Sequence, residues 1–304
     1  MNDIFAIIVT FNPTIDILIN QFKSVISQIK NIIYVDNGSI MTPELVSFFH
    51  DITLQYEKVI VIYNIQNKGL GNAQNQGINK SRELGATAVV ILDHDSVIRP
   101  LFIQNLYNSY LQLSDLGINI GAVGPTYINE STGEIYPITK YIGPFIKRII
   151  PCDQPVEASF LISSGCFAKI EIFDKVGEMN EDLFIDYIDI EWSYRVRHLG
   201  YKLYAVPTAV MNHTVGDKRM SVFGRKISVH SPIRRYYLTR NSFHMLRCPY
   251  VSLGYKIREI TFNIFRIIIF CSVSDNRAMY LKYSFFGIID GIRGIKGEFN
   301  HKQK

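Results

Sequence analysis

The chain is poor in cysteine, tryptophan and charge. Its four cysteines, Cys152, Cys166, Cys248 and Cys271, are scattered along 304 residues without a C-x-x-C pair. That excludes a disulfide-stapled mini-protein and favours plain thiols in a reducing compartment over a disulfide or a zinc site. An uncharged apolar run of roughly 18 residues, the length needed to span a bilayer, is missing. The best stretch, Ile257 to Val273, is interrupted by Arg258, Glu259 and Arg266. The first residues, Met-Asn-Asp-Ile-Phe-Ala-Ile-Ile-Val, include an acid and no basic leader, so they read as a strand and not as a signal peptide. No G-x-G-x-x-G follows that strand, which disfavours a nicotinamide oxidoreductase. Internal repeats and low-complexity tracts are absent too.

What is plentiful is apolar: 47% of residues are hydrophobic against 19% charged. This composition allows a sizeable core and excludes a disordered or collagen-like chain. The formal net charge of +5 hides a split. Residues 214–304 carry 17 Lys and Arg against 5 acids, while residues 1–213 carry 15 against 22. An acidic body and a basic tail follow, the tail suited to an anionic partner.

Short β-branched runs at Phe5–Phe11, Ile32–Asp36, Lys58–Tyr63 and Ala88–Asp93 alternate with helical patterns near 14–29, 41–50 and 69–84. The alternation predicts a parallel sheet covered by helices, with ligands bound beyond the carboxyl ends of its strands. Polar residues sit where that rule puts them: Thr10 and Asn12 after the first run, Asp36-Asn37-Gly38-Ser39 after the second, Asn64 to Gly71 after the third, Asp93-His94-Asp95-Ser96 after the fourth. Further on, Gly121–Ile128 reads as a strand, 129–155 as loops, Glu181–Leu199 as a loop entering a helix, and Lys202–Val206 as a strand before a turn at Pro207. Helical segments are expected near 232–247 and 255–272.

Each motif admits a chemical and a plain reading. Asp93 and Asp95, two residues apart on a turn, can hold Mg2+ or Mn2+ between phosphates, or simply cap the next helix. The stretch from Asn67 to Gly77, with Lys68, Gly69 and Asn72, lets backbone approach an anion at a helix start, or is an ordinary small-residue cap. Asp36 can accept from a base or ribose, or make turn chemistry. Glu181 to Trp192 packs five acids and the only tryptophan into a dozen residues; Asp189 and Glu191 beside Ile188, Ile190 and Trp192 can have raised proton affinity, as a general base needs, or can favour the helix dipole. Trp192 can stack on a sugar or fill a core, and a lone His213 can be a ligand or structural. Arg234-Arg235-Tyr236-Tyr237 with Arg240-Asn241 can meet diphosphate or lipid head groups; nucleic acid is disfavoured, since no recognised module accompanies the cluster. The 255–272 segment is an in-plane membrane helix or a core helix.

In their order, these motifs resemble glycosyltransferase family 2, and within it the bacterial rhamnosyltransferase branch that builds surface polysaccharides. The likeness rests on Val9-Thr10-Phe11-Asn12-Pro13, Val35-Asp36-Asn37-Gly38-Ser39, Asn67-Lys68-Gly69-Leu70-Gly71-Asn72-Ala73, Leu92-Asp93-His94-Asp95-Ser96, Ile162-Ser163-Ser164-Gly165, Phe184–Arg195 and Tyr236–Asn241. It implies an α/β GT-A fold, a Rossmann-like, mostly parallel sheet flanked by helices with a basic helical C-terminal extension. Residues 1–217 would form the nucleotide-sugar-binding and catalytic domain and 218–304 a membrane-associating region.

The resemblance further implies a nucleotide pocket of Thr10, Asn12, Asp36, Asn37, Lys68, Gly69 and Asn72, with Asp93 near the ribose or diphosphate. Mg2+ or Mn2+ would lie on Asp95 and His213. Asp189 would be the base with Glu191 in support, and Asp186, a rival base, would meet the acceptor with Trp192. The expected reaction is an inverting transfer, most simply of L-rhamnose from dTDP-rhamnose, onto a polyprenyl-diphosphate-linked saccharide at the inner face of the cytoplasmic membrane. The protein itself would be cytoplasmic and peripheral on that face, serving O-antigen (lipopolysaccharide) or capsule synthesis. A UDP-sugar donor, or a nucleotide-sugar-binding membrane protein without turnover, are the alternatives.

Overall fold

A computed structural model describes residues 3–29, 31–129, 132–212, 219–222, 225–228, 231–273 and 276–300. In chain order the first half runs β1 (Ile4–Thr10), α1 (Ile15–Ile26), β2 (Ile32–Asp36), α2 (Pro43–Gln55), β3 (Val59–Tyr63), α3 (Leu70–Glu83), β4 (Ala88–Asp93) and α4 (Phe102–Asp115). It continues with β5 (Ile120–Ile128), β6 (Ile138–Ile142), β7 (Phe145–Ile149), β8 (Val156–Ala158), β9 (Cys166–Lys169), α5 (Ile170–Val176), α6 (Ile188–His198) and β10 (Lys202–Asn212). A short pair, β11 (Arg219–Val222) and β12 (Arg225–Ser228), precedes α7 (Pro232–Arg247), α8 (Leu253–Val273) and α9 (Arg277–Arg293).

Eight strands form one sheet in the order β3-β2-β1-β4-β9-β5-β10-β8. The four expected strands are parallel neighbours, with Thr10 beside Asp36 and Val9 beside Asp93. All seven residues of β1 and all five of β2 are buried, which is why they read as unbroken apolar runs rather than alternating ones. Their side chains still alternate between two cores. Ile7, Val9, Ile33, Val35 and Ile91 face one side with Ala73 and Ile78 of α3 and Trp192 of α6. Ile8, Tyr34, Val90 and Leu92 face the other with Leu18, Phe49 and Leu106. The chain winds outward from β1 to β3 and then returns to place β4 on the opposite flank of β1. Reversal opens a crevice beyond the carboxyl ends of β1 and β4, where loops must diverge.

Three expectations need correction. Residues 129–155, expected as loops, contain the β6–β7 hairpin. Pro207 does not end a strand: β10 runs through it to Asn212, and the pairing with β5 shifts register between Val206 and Val210, as a proline that donates no ladder bond requires. Beyond the two C-terminal helices expected, a third, α9, packs against them. The start of α7 is legible in Ser231-Pro232, since the Ser231 hydroxyl accepts from the Arg234 amide at 3.4 Å and proline occupies the first turn. These helices join the body: Met245, Cys248, Val251 and Tyr255 share the core of the sheet. Among the described residues no helix is long and apolar enough to cross a membrane.

Gly38, in the turn after β2, has φ +84°, and a Cβ there would stand 2.4 Å from the Gln66 backbone carbon. Neither the dihedral nor the neighbour can yield. Gly38→Ala is expected to cost about 2 kcal/mol or more, read as a lower urea midpoint. A midpoint equal to the parent's would contradict the close approach of the two loops.

Candidate active site

The loops that follow β1, β2 and β3 are knitted to one another. Thr10 Oγ1 donates to Asp36 Oδ2 at 2.9 Å, and the Ser39 amide donates to Asp36 Oδ1 at 2.9 Å. Asp36 and Thr10 are fully buried, so this bond lies beneath the surface of the turn. Asn12 joins the same turn: its amide donates to Ser39 Oγ at 2.8 Å and its Oδ1 accepts from the Ile40 amide at 2.9 Å. Asn37 is a clasp. Its Nδ2 donates to Asn67 Oδ1 at 2.9 Å and Gly69 O at 3.2 Å, and its Oδ1 accepts from the Lys68 amide at 3.0 Å and Asn64 Nδ2 at 3.2 Å. With every donor and acceptor of its amide engaged, Asn37 holds the loops after β2 and β3 together.

Lys68 is exposed beside this clasp. Gly69, at φ +89°, lets the backbone pass Phe184, whose atoms would lie 2.8 Å from an added Cβ. Asn72, just inside α3, donates to Glu181 Oε2 at 2.6 Å, while Asn75 Nδ2 reaches Glu181 Oε1 at 2.8 Å. The acidic loop is thereby tied to the start of α3.

That acidic loop is the most constrained segment of the site. Phe184, Asp186 and Tyr187 all have positive φ, at 64°, 65° and 66°. Each such residue costs roughly 1–3 kcal/mol and persists only when its surroundings over-determine it. Helix α7 does so: Asn241 Nδ2 donates to the carbonyls of Leu183, Ile185 and Asp186 at 2.9, 2.8 and 3.1 Å. Arg240 Nη2 donates to Leu183 O at 2.8 Å, and Arg234 pairs with Asp186 at 2.9 Å. Arg240 and Asn241, read from sequence as candidates for head-group binding, are buried and spent on this clamp.

A cleft of about 650 Å³ lies between this loop and the C-terminal helices. Asp93, Asp186 and Asp189 line one side; Arg234, Arg235, Glu259 and Arg266 line the other, with Tyr141, Phe160 and Tyr255 among its aromatic walls. Burial, then the charges of Asp95 and Asp189, push the Asp93 carboxyl up to about 7, against a hydrogen bond from Ser164 and the nearby Arg234. Burial, with the Asp186 charge in support, pushes Asp189 up to about 6, although backbone donors including the Ile190 amide at 2.8 Å oppose it. Asp93 therefore feels both Asp95, exposed on the turn after β4, and Asp189, at the start of α6. Two parts of the chain distant in sequence, the turn after β4 and the start of α6, thus bring carboxylates within electrostatic reach of Asp93.

The other expected residues separate. Trp192 does not face the cleft: it is buried, stacked on Phe173 with ring centroids 5.1 Å apart, and its Nε1 donates to Gly177 O at 3.0 Å. It lies about one turn further along α6 than Asp189, where the indole fills the core. Glu191 is also away from the cleft, buried and gripped by Arg195 at 2.7 and 3.0 Å and by the Tyr250 hydroxyl. It anchors α6. His213 lies outside the described residues. Among those described, no three His, Cys, Asp or Glu side chains form a ready metal cage; Asp93 and Asp95 are the oxygen pair available, and their mutual repulsion is what a dication would relieve. Reasoning from sequence missed Glu259 and Arg266 as cleft residues, although their signal was present as the charges that break the apolar 257–273 run.

The comparisons with known proteins agree with this architecture. The family model "Glycosyl transferase family 2" matches residues 5–177, and the chain belongs to that family. A dTDP-rhamnosyl transferase, RfbF, of Shigella flexneri is 35% identical over 303 residues, covering 97% of each chain. The low-salt glycan biosynthesis hexosyltransferase Agl10 of Haloferax volcanii is 25% identical over 98% of this chain and 94% of its own. Two solved structures share the GT-A fold. GalNAc-T7, solved with UDP, GalNAc and Mn2+, superposes with a TM-score of 0.60 at 18% identity, over 91% of this chain and 58% of that longer one. The Pyrobaculum calidifontis mannosyltransferase PcManGT, solved with GDP-Man and Mn2+, gives 0.56 at 13% identity, over 96% and 86%.

A carboxyl that holds its proton more tightly in the folded than in the unfolded state makes stability fall as pH rises from the ordinary carboxylate range toward about 7 for Asp93. In chelator, Asp93→Asn should therefore be more stable than the parent at pH 8, by about 2 kcal/mol, with the gap closing near about pH 4. Thermal melts across pH check this. Equal stability at pH 8 would show that Asp93 is not under electrostatic load.

Proposed function

We propose that the chain is a metal-dependent, inverting glycosyltransferase that moves L-rhamnose from dTDP-rhamnose onto a lipid-linked oligosaccharide in bacterial surface polysaccharide synthesis. The observation that carries this reading is Asp189: a carboxylate raised to about 6, on the wall of the cleft that Asp93 also lines. A base with that affinity is mostly ionised at neutral pH yet still takes a proton readily. Asp189 accepts the proton of the acceptor hydroxyl as its oxygen attacks the anomeric carbon. The bond from that carbon to the diphosphate oxygen breaks, its electron pair leaves with the nucleoside diphosphate, and configuration inverts. Asp95, backed by Asp93, would hold Mg2+ or Mn2+, and that ion, when bound, supplies positive charge to the departing diphosphate. Asp186, fixed by Arg234, orients the acceptor. The choice of dTDP-rhamnose rests on the likeness to RfbF along nearly the whole chain.

A donor panel with Mg2+ or Mn2+, read as nucleoside diphosphate release with and without acceptor, tests the reaction. Release from dTDP-rhamnose should lead, and kcat/KM should fall as pH drops through about 6, the Asp189 value. Asp189→Asn should lower turnover by about a hundredfold or more while nucleotide affinity is kept. Preference for a UDP-sugar would change the donor, and full turnover in Asp189→Asn would leave this protein without its assigned base.

Membrane placement is part of the same proposal. Leu253, Ile257, Ile260, Ile264 and Ile268 form an exposed apolar stripe along α8, and Phe145 at the β6–β7 tip is 74% exposed. The two described acids of α8 and α9, Glu259 and Asp290, are buried, whereas Arg277 and Lys282 are exposed. An apolar stripe flanked by cations suits an anionic bilayer surface. Cosedimentation with anionic vesicles should drop in Ile264→Asp and in about 1 M salt. Unchanged binding in both would remove the membrane from the account.

A further inference from the structure

The inner face of α8 differs from its outer one. Arg235 of α7 is 2% exposed yet lines the cleft. Its Nη2 donates to Asn263 Oδ1 at 3.0 Å, its guanidinium lies 5.8 Å from the Phe270 ring centre, and its Nε is buried with no hydrogen-bond partner. Arg266 lines the same wall and pairs with Glu259 at 3.2 Å. Glu259 is already shared, since it also accepts from the Tyr187 hydroxyl and from Asn263 Nδ2 at 3.1 Å. Two guanidiniums thus face one carboxylate, and burial together with Arg266 pushes the Arg235 guanidinium down to about 10. A buried cation with an unused donor and an unbalanced neighbour is costly unless an anion completes it. The Asp186 charge also acts on Arg235, but the Asp186 carboxylate is paired with Arg234 at 2.9 Å.

We propose that Arg235 and Arg266 form a phosphate-class anion subsite in the acceptor half of the cleft. An acceptor whose hydroxyl reaches Asp189 lays its own phosphate or diphosphate between these guanidiniums, and its sugar against Tyr141, Phe160 and Tyr255. This rests on the glycosyltransferase reading and adds the acceptor's charge to it. Planar guanidiniums suit the task because they offer paired donors to phosphate oxygens. The departing nucleoside diphosphate is the other source of the same chemistry, and the test separates the two.

First, inorganic diphosphate is titrated calorimetrically in chelator, which removes any cation from Asp95. The parent and Asp95→Ala should bind it, Arg266→Gln should bind about tenfold more weakly, and Arg235→Lys, which keeps the charge, should lose less. Because Arg266 also pairs with the buried Glu259, Arg266→Gln is expected to melt somewhat lower than the parent while remaining folded at the titration temperature, as a thermal melt checks. Undiminished binding in a folded Arg266→Gln, or loss only in Asp95→Ala, overturns the subsite. Second, the saccharide acceptor is supplied on a diphosphate and on an uncharged linker. The parent should prefer the charged acceptor by about tenfold in KM, and that preference should collapse in Arg266→Gln. An altered donor KM with the acceptor preference intact assigns the anion to the donor and overturns the acceptor placement. Absence of transfer in the parent would sink the glycosyltransferase reading, while the calorimetry still decides the subsite.

Discussion

Carboxylates that repel one another are held together at the edge of a buried sheet, and the rest of the site is arranged around that constraint. Asp93 ends a strand whose other residues are buried in the two cores, so the backbone cannot retreat to relieve the charge. Asp95 follows on the same turn, and Asp189 arrives from a helix more than ninety positions later in the chain. Burial first, and then neighbouring acids, raise the proton affinities: Asp95 and Asp189 act on Asp93, and Asp186 acts on Asp189. A fold tolerates such a load when a bound cation and a reacting hydroxyl remove it in use.

Getting Asp189 to that edge requires backbone strain, and the clamp from α7 holds it. Asn241 satisfies three carbonyls of the positive-φ loop, and Arg240 adds a fourth bond to the same turn. The C-terminal helices are therefore part of the candidate active site rather than an appendage to it. Helix α8 extends this logic: Glu259 on its inner face reaches Tyr187, two residues before Asp189, while its outer face is an apolar stripe. One rigid element joins the apolar outer surface to the loop that carries the proposed base.

Much of this was readable in the residues. The strands β1, β2 and β4 are nearly all buried on both faces, so their apolar runs were unambiguous, and Asp93, Asp95, Asp186 and Asp189 stood out as acids at element ends. The β6–β7 hairpin carries no such mark, because Ile138 to Ile149 mixes aromatics, lysines and glycine without a clean two-residue period. Trp192 and Glu191 were misplaced because spacing along a helix start does not reveal which face meets the sheet. Asn37 and Asn241 looked like binding amides, whereas their bonds run to backbone and side chains far away in sequence. Long-range clasps of this kind have no local pattern.

Carboxyl carbon NMR of Asp93 and Asp189, titrated with and without Mg2+ and a nucleoside diphosphate, tests the central claim most directly. The account predicts that Asp93 titrates near 7 in the free protein and falls into the ordinary carboxylate range when the cation binds. An Asp93 that titrates in the ordinary range throughout, indifferent to Mg2+, would contradict it.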